Sequence, residues 1–91
     1  MFFLFRRKQF KKDIKKLIRN PKFDSDKLAV VLSQLMSGEK LAEKYPSHTL
    51  GGDFNGCYEC HIQPDVLLIY TIDKRESIVY LVRIGSHSDL F

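Results

Sequence analysis

The chain has 91 residues, 44% of them hydrophobic, and fifteen Lys+Arg against eleven Asp+Glu give a formal net charge of +4 and a pI near 9.2. That length makes one domain, residues 1–91, near the lower end of what folds alone. The apolar share excludes a disordered chain, and no run is long and apolar enough to span a membrane. The positive charge is concentrated: nine of the fifteen basic residues lie within 6–22, opposed only by Asp13. Such a face points to an anionic partner: nucleic acid or an acidic protein ahead of a membrane surface.

Taken in chain order, residues 2–5 suit a short strand. They are followed by Arg6-Arg7-Lys8, the reverse of the charge-then-apolar order of a secretory signal, so a cytoplasmic location with reduced cysteines is expected. Residues 6–20 suit a helix. Phe10, Ile14, Leu17 and Ile18 fall at i, i+4, i+7 and i+8 and make one apolar stripe, and Asn20-Pro21 ends it. Lys8, Lys11, Lys12, Lys15, Lys16 and Arg19 fill the other faces and are the candidate RNA-binding residues.

Asp24, Ser25 and Asp26 offer an N-cap for a second helix over 26–36. Its expected buried stripe is Leu28, Val31, Leu32, Leu35 and Met36, and Ser37-Gly38 closes it. Residues 41–45 suit a helical turn before Pro46, and 47–56 read as loop. Residues 57–70 read as two strands around a Pro64-Asp65 turn, the second (66–70) almost wholly apolar and central in a sheet. Asp73 to Glu76 make a hairpin turn, 77–84 a last strand, and Ser86 to Phe91 a short tail. This β-α-α-β-β-β order, with helices grouped against hairpin-connected strands, predicts an α+β fold.

All three histidines, His48, His61 and His87, lie in the C-terminal half beside turns or loops. Each taken alone reads as a surface histidine. His61 stands four residues before Asp65, and His87 four after Arg83, which a pairing of the last two strands would bring back towards Asp65. Histidines can take and return protons near neutral pH, an arginine fork matches a phosphate, and an aromatic ring stacks on a base. Those are the parts of a metal-independent RNA cleavage in which the neighbouring 2′-hydroxyl attacks the phosphate. Cys57-x-x-Cys60-His61 also has the spacing of haem attachment, and its Cys/His cluster could be read as a zinc site. Two cysteines three apart on one strand face opposite ways, so the plainer reading is two strand residues, and no cofactor is expected.

Three ordered blocks carry a resemblance. They are His48-Thr49-Leu50-x-Gly52-x-Phe54-x-Gly56; Cys60-His61-Ile62-x-Pro64-Asp65-x-Leu67-Leu68-Ile69-Tyr70; and Arg83-Ile84-Gly85-Ser86-His87-Ser88-x-Leu90-Phe91. With this spacing the chain resembles the YafQ branch of the RelE/ParE toxin superfamily, densely over about its last half and in layout over the first. The resemblance implies a RelE-like fold, a mostly antiparallel four-stranded sheet with an N-terminal two-helix hairpin packed on it. It implies a type II toxin that cleaves mRNA on the ribosome and is held by a cognate antitoxin, with a free toxin that can be monomeric and a larger complex. His48, His61, Asp65, Arg83, His87 and Phe91 match the family's active-site positions. On that analogy His87 and Asp65 lead proton transfer, His48 and His61 support it, Arg83 holds the phosphate, and Phe91 positions a base or the terminal carboxylate. Tyr58 and Glu59 stand where many relatives carry an arginine, and Val66 where they often carry tryptophan. A ParE-type toxin that binds DNA gyrase would share the fold but has no need of the histidines.

Overall fold

In the computed structural model, which describes residues 1–38, 47–49 and 56–91, the apolar stripe of the basic segment produces α1 (Lys8–Leu17). It buries Phe10 and packs Ile14 and Leu17 against the core. Strand β1 (Phe3–Arg6) precedes it, so Arg6 and Arg7 lie outside the helix. Ile18, counted with the stripe, is 63% exposed, because the helix has ended and its backbone N–H only caps the last turn.

Helix α2 (Ser25–Ser37) starts where Asp24 accepts hydrogen bonds from the backbone N–H groups of Asp26 and Lys27, the N-cap expected from the sequence. Leu28, Val31 and Leu35 are buried, while Met36 is exposed. The helix ends at Gly38 in the left-handed region (φ 76°), where a Cβ would lie 3.0 Å from the Phe2 ring. A left-handed L-residue costs about 1–2 kcal/mol. Gly38→Ala is therefore expected to destabilise the protein by at least about 1 kcal/mol, read as a lower denaturant midpoint at unchanged slope.

The expected turn at 41–45 lies outside the described residues. Residues 47–56, read as loop, contain a short strand β2 (Ser47–Thr49). Strands β3 (Tyr58–Gln63), β4 (Val66–Asp73) and β5 (Ile78–Gly85) follow. The order across the sheet is β1-β5-β4-β3-β2, with β1 parallel to β5 and the remaining pairs antiparallel. The α+β class and the helical hairpin on a mostly antiparallel sheet are as expected. The four expected strands gain β2 at the edge. A one-turn helix α3 (His87–Leu90) forms within the short tail.

Both long helices cover one face of the sheet. Phe10, Leu28, Val31 and Leu35 pack with Cys60, Ile62, Val66, Leu68, Tyr70, Val79, Leu81 and Ile84. Gln63 ties the interhelical link to this sheet: its carbonyl oxygen accepts from the Asp24 N–H at 2.8 Å, and its amide donates to the Lys22 carbonyl at 3.0 Å. The opposite face carries a smaller apolar group, Leu67, Ile69 and Leu90, with Cys57 and Val82 beside it. That open face is the surface from which a site can be built.

Strict alternation along the last strand would set Ile84 with Ile78 and Tyr80, away from Val79 and Leu81. Instead Ile84 shares the helix-side core with Val79 and Leu81. The pairing explains it: Ile69 opposes Arg83 but Tyr70 opposes Leu81, so Val82 is an extra, bulged residue. A bulge reverses the parity beyond it and re-aims the following side chain, here Arg83.

Candidate active site on the open face of the sheet

Register places the candidate residues. His61 pairs with Leu67, and Leu67 with Gly85, so these form one row across three strands. His48 pairs with Glu59, Glu59 with Ile69, and Ile69 with Arg83, forming the adjacent row across four. His61 thus lies two strand spacings, about 10 Å, from Gly85, and His87 follows Gly85 by two residues. Asp65 occupies the exposed turn closed by the Gln63–Val66 pair, at the same end of the sheet. His48 is known here only by its place in β2; its side chain lies outside the described residues.

The tail is brought onto this face by its own chemistry. The Ser86 hydroxyl accepts from the Asp89 N–H at 3.1 Å, and the Asp89 carboxylate accepts from the Ser86 N–H at 3.3 Å. This capping box starts α3. Hydrogen bonding to the carboxylate itself, from the Ser86 side chain first and then from its backbone N–H, holds the Asp89 carboxyl below the usual carboxylate range. The Ser86-x-x-Asp89 spacing is a local signal for α3 that reading these residues only as a short tail overlooks. Leu90 anchors the turn on Leu67 and Ile69. His87 and Phe91, four apart, then lie with ring centres 4.9 Å apart, and both are exposed.

Arg83 does not reach towards Asp65. Its Nε donates to Asp13 Oδ2 at 3.0 Å and its Nη2 to Oδ1 at 2.9 Å. The cause is the bulge together with where β1 ends: β1 pairs with β5 only as far as Leu81, so beyond it the outer edge of β5 meets α1. The Asp13 carboxylate takes up that edge, accepting the Ile84 N–H at 3.2 Å. Burial opposes the charge on Asp13, but the bonds from Arg83, Gln9 and Ile84 outweigh it and hold its carboxyl below the usual range. The same pair raises Arg83 further above its ordinary value. Asp13, in sequence only the lone acid of a basic run, is thus part of the site's framework.

Lys8, Lys11, Lys12, Lys15, Lys16 and Arg19 are all exposed. Lys12 and Lys16 line a pocket of about 390 Å³ beside Arg83, Ile84 and Gly85, and Lys16 lies 3.8 Å from Asp89. The basic helix therefore borders the candidate site rather than forming a separate face.

The two cysteines lie on opposite faces as expected, although Cys57 precedes β3 and is not itself a strand residue. Cys60 is wholly buried on the helix side, its thiol pushed up to about 11 by burial, while Cys57 packs beside Leu67 and Ile69 on the other face. Val66 lies in the helix-side core, and Tyr58 stacks on Tyr70 with centres 5.7 Å apart. Glu59, between His48 and Ile69 in the row that ends at Arg83, is a carboxylate the sequence reading did not place in the site.

Comparison with known proteins gives the family and the fold. The chain is 31% identical over 84 residues to the mRNA interferase toxin YafQ of Escherichia coli K12, covering 91% of this chain and 88% of that one. A metal-bound toxin from Helicobacter pylori superposes with a TM-score of 0.89 at 44% identity over the whole of both chains. The toxin of the E. coli DinJ-YafQ complex superposes with a TM-score of 0.86 at 27% identity, covering 100% of this chain and 99% of that one. The family model for YafQ, the bacterial toxin of a type II toxin–antitoxin system, matches residues 4–91, and the chain belongs to that family.

Proposed function

We propose that this chain is an endoribonuclease that cleaves mRNA on the ribosome, in the cytoplasm, and that an antitoxin holds it inactive. The observation that carries the reading is that exposed His61 and His87 lie at one end of the open sheet face, with Arg83 in the neighbouring row and its guanidinium held by Asp13 at the outer edge of β5. The relative named an mRNA interferase aligns over almost the whole chain.

In this mechanism Arg83 grips the scissile phosphate and stabilises the charge that builds on its oxygens. The substrate's 2′-hydroxyl attacks phosphorus, its proton passing to a base. The bond to the 5′-oxygen breaks, and that oxygen receives a proton from an acid, leaving a 2′,3′-cyclic phosphate and a 5′-hydroxyl. His87 and Asp65 lead this exchange, with His48 and His61 in support; Glu59 adds a carboxylate between His48 and Arg83. Phe91, its ring tilted beside that of His87, offers its face to a base. Lys8, Lys11, Lys12, Lys15, Lys16 and Arg19 guide the RNA backbone.

A Helicobacter pylori relative was crystallised with metal. Among the described residues, which leave out the His48 side chain, no group of three or more His, Cys, Asp or Glu side chains is suited to one ion. The E. coli relative was crystallised with DinJ, which supports an antitoxin partner for this chain. An acidic segment covering the basic helix or the open face fits its charge.

Primer extension on cellular mRNA after induction tests the reading. Discrete new 5′ ends within coding sequences are expected, and chelator-dialysed protein is expected to cut programmed ribosomes undiminished. An absence of new ends, with DNA damage in their place, would instead favour gyrase poisoning.

A further inference from the structure

We infer that Asp13 is a positioning residue for the cleavage reaction, acting through Arg83. The inference rests on the nuclease reading above. The Asp13 side chain is only 9% exposed and Arg83 26%. Each Asp13 oxygen accepts two hydrogen bonds: Oδ1 from Gln9 Nε2 at 3.1 Å and Arg83 Nη2 at 2.9 Å, Oδ2 from Arg83 Nε at 3.0 Å and the Ile84 N–H at 3.2 Å. An ionised carboxylate has about four acceptor positions, and all are used.

The geometry also says what this does for Arg83. A guanidinium has five N–H donors in a planar fork. Asp13 takes the Nε–Nη2 edge, which leaves the end-on pair formed by Nη1 and the second Nη2 hydrogen. That pair matches a phosphate as well as the occupied edge matches a carboxylate. One fork therefore fixes the plane of the group from α1 while the other stays available to RNA. Because Asp13 also holds the Ile84 N–H, the guanidinium is referenced to the backbone of β5 itself and not only to a helix. Lys12 and Lys16, lining the pocket beside Arg83, keep the surroundings positive although Asp13 neutralises the arginine.

Asparagine at position 13 cannot reproduce this. Its single oxygen accepts at most half of the four bonds, and its NH₂ group meets an N–H donor. Asp13→Asn is expected to lower kcat for cleavage on programmed ribosomes by about 10²-fold, with KM changed much less, since a small misplacement of a catalytic group has that scale of effect. Arg83→Ala is measured in parallel, together with the Asp13→Asn, Arg83→Ala double variant. Acting through Arg83, Asp13→Asn lowers kcat no further in the Arg83→Ala background. In addition, guanidinium ion added to the assay restores activity to Arg83→Ala but not to the double variant, because only Asp13 holds the free ion in place. Melting temperatures and antitoxin binding confirm that each variant is folded. If Arg83→Ala is inactive while folded Asp13→Asn retains full kcat, the positioning role is overturned and the nuclease reading stands. The positioning role is overturned in the same way if Asp13→Asn costs equally in both backgrounds. If Arg83→Ala is itself fully active, the positioning role falls with Arg83's place in the mechanism while the nuclease reading stands; if the unsubstituted protein does not cleave, the nuclease reading falls.

Discussion

Alanine in place of His87 is expected to slow mRNA cleavage by about 10²–10⁴-fold, the contribution of one acid–base group, and to relieve growth arrest while leaving the fold and antitoxin binding intact. The separation follows from position. His87 is exposed at the first residue of α3, and neither anchor of that turn depends on its ring. The capping box belongs to Ser86 and Asp89, and the apolar hold to Leu90 on Leu67 and Ile69. Substitution of such an exposed side chain shifts stability by no more than about 0.5 kcal/mol. Phe91 loses its ring neighbour, so some of the loss falls on how the base is held. The checks are single-turnover cleavage on programmed ribosomes, a thermal melt, and titration with antitoxin. A double variant, His87→Ala with Asp65→Ala, that cleaved and arrested growth like wild type would remove both residues from the mechanism.

The apolar spacing of Phe10, Ile14 and Leu17 and the run 66–70 were legible because burial on one face leaves a period in the sequence. The features that make the site were less so, for identifiable reasons. Strand β2 has only three residues, Ser47–Thr49, too few for an alternation to register. The bulge at Val82 depends on how β5 pairs with β4, a non-local fact, yet it decides where Arg83 goes. Asp13 was legible as the one acid among nine bases of residues 6–22 but not as the partner of a residue seventy positions away. By contrast, α3 was written locally in Ser86-x-x-Asp89. The resemblance named candidate residues; the register showed that His48 and Arg83 share one row and that His61 and Gly85 share the next.

Leu68→Ala is expected to fail in the opposite manner to His87→Ala, by loss of the fold. Leu68 is fully buried in the middle of β4, paired with Cys60 on one side and Ile84 on the other, and it packs in the core under the helices. Truncating such a leucine removes about 2–5 kcal/mol, against a total stability of about 5–15 kcal/mol for a domain. In a domain of this size each kcal/mol lowers Tm by about 4–8 °C, so a fall of at least about 8 °C is expected in a thermal melt. The side chain is on the face away from His61 and His87, yet the rows that place them run through the same strand. Once β4 loosens, Leu67 and Ile69 no longer present a fixed seat to Leu90, and α3 loses its anchor on the open face. Cleavage and antitoxin binding should therefore decline together as temperature rises, and bound antitoxin should raise the Tm of the variant by mass action. A Leu68→Ala protein that melted within about 4 °C of wild type while losing cleavage would show that the helix-side core and the open face are coupled by something other than stability.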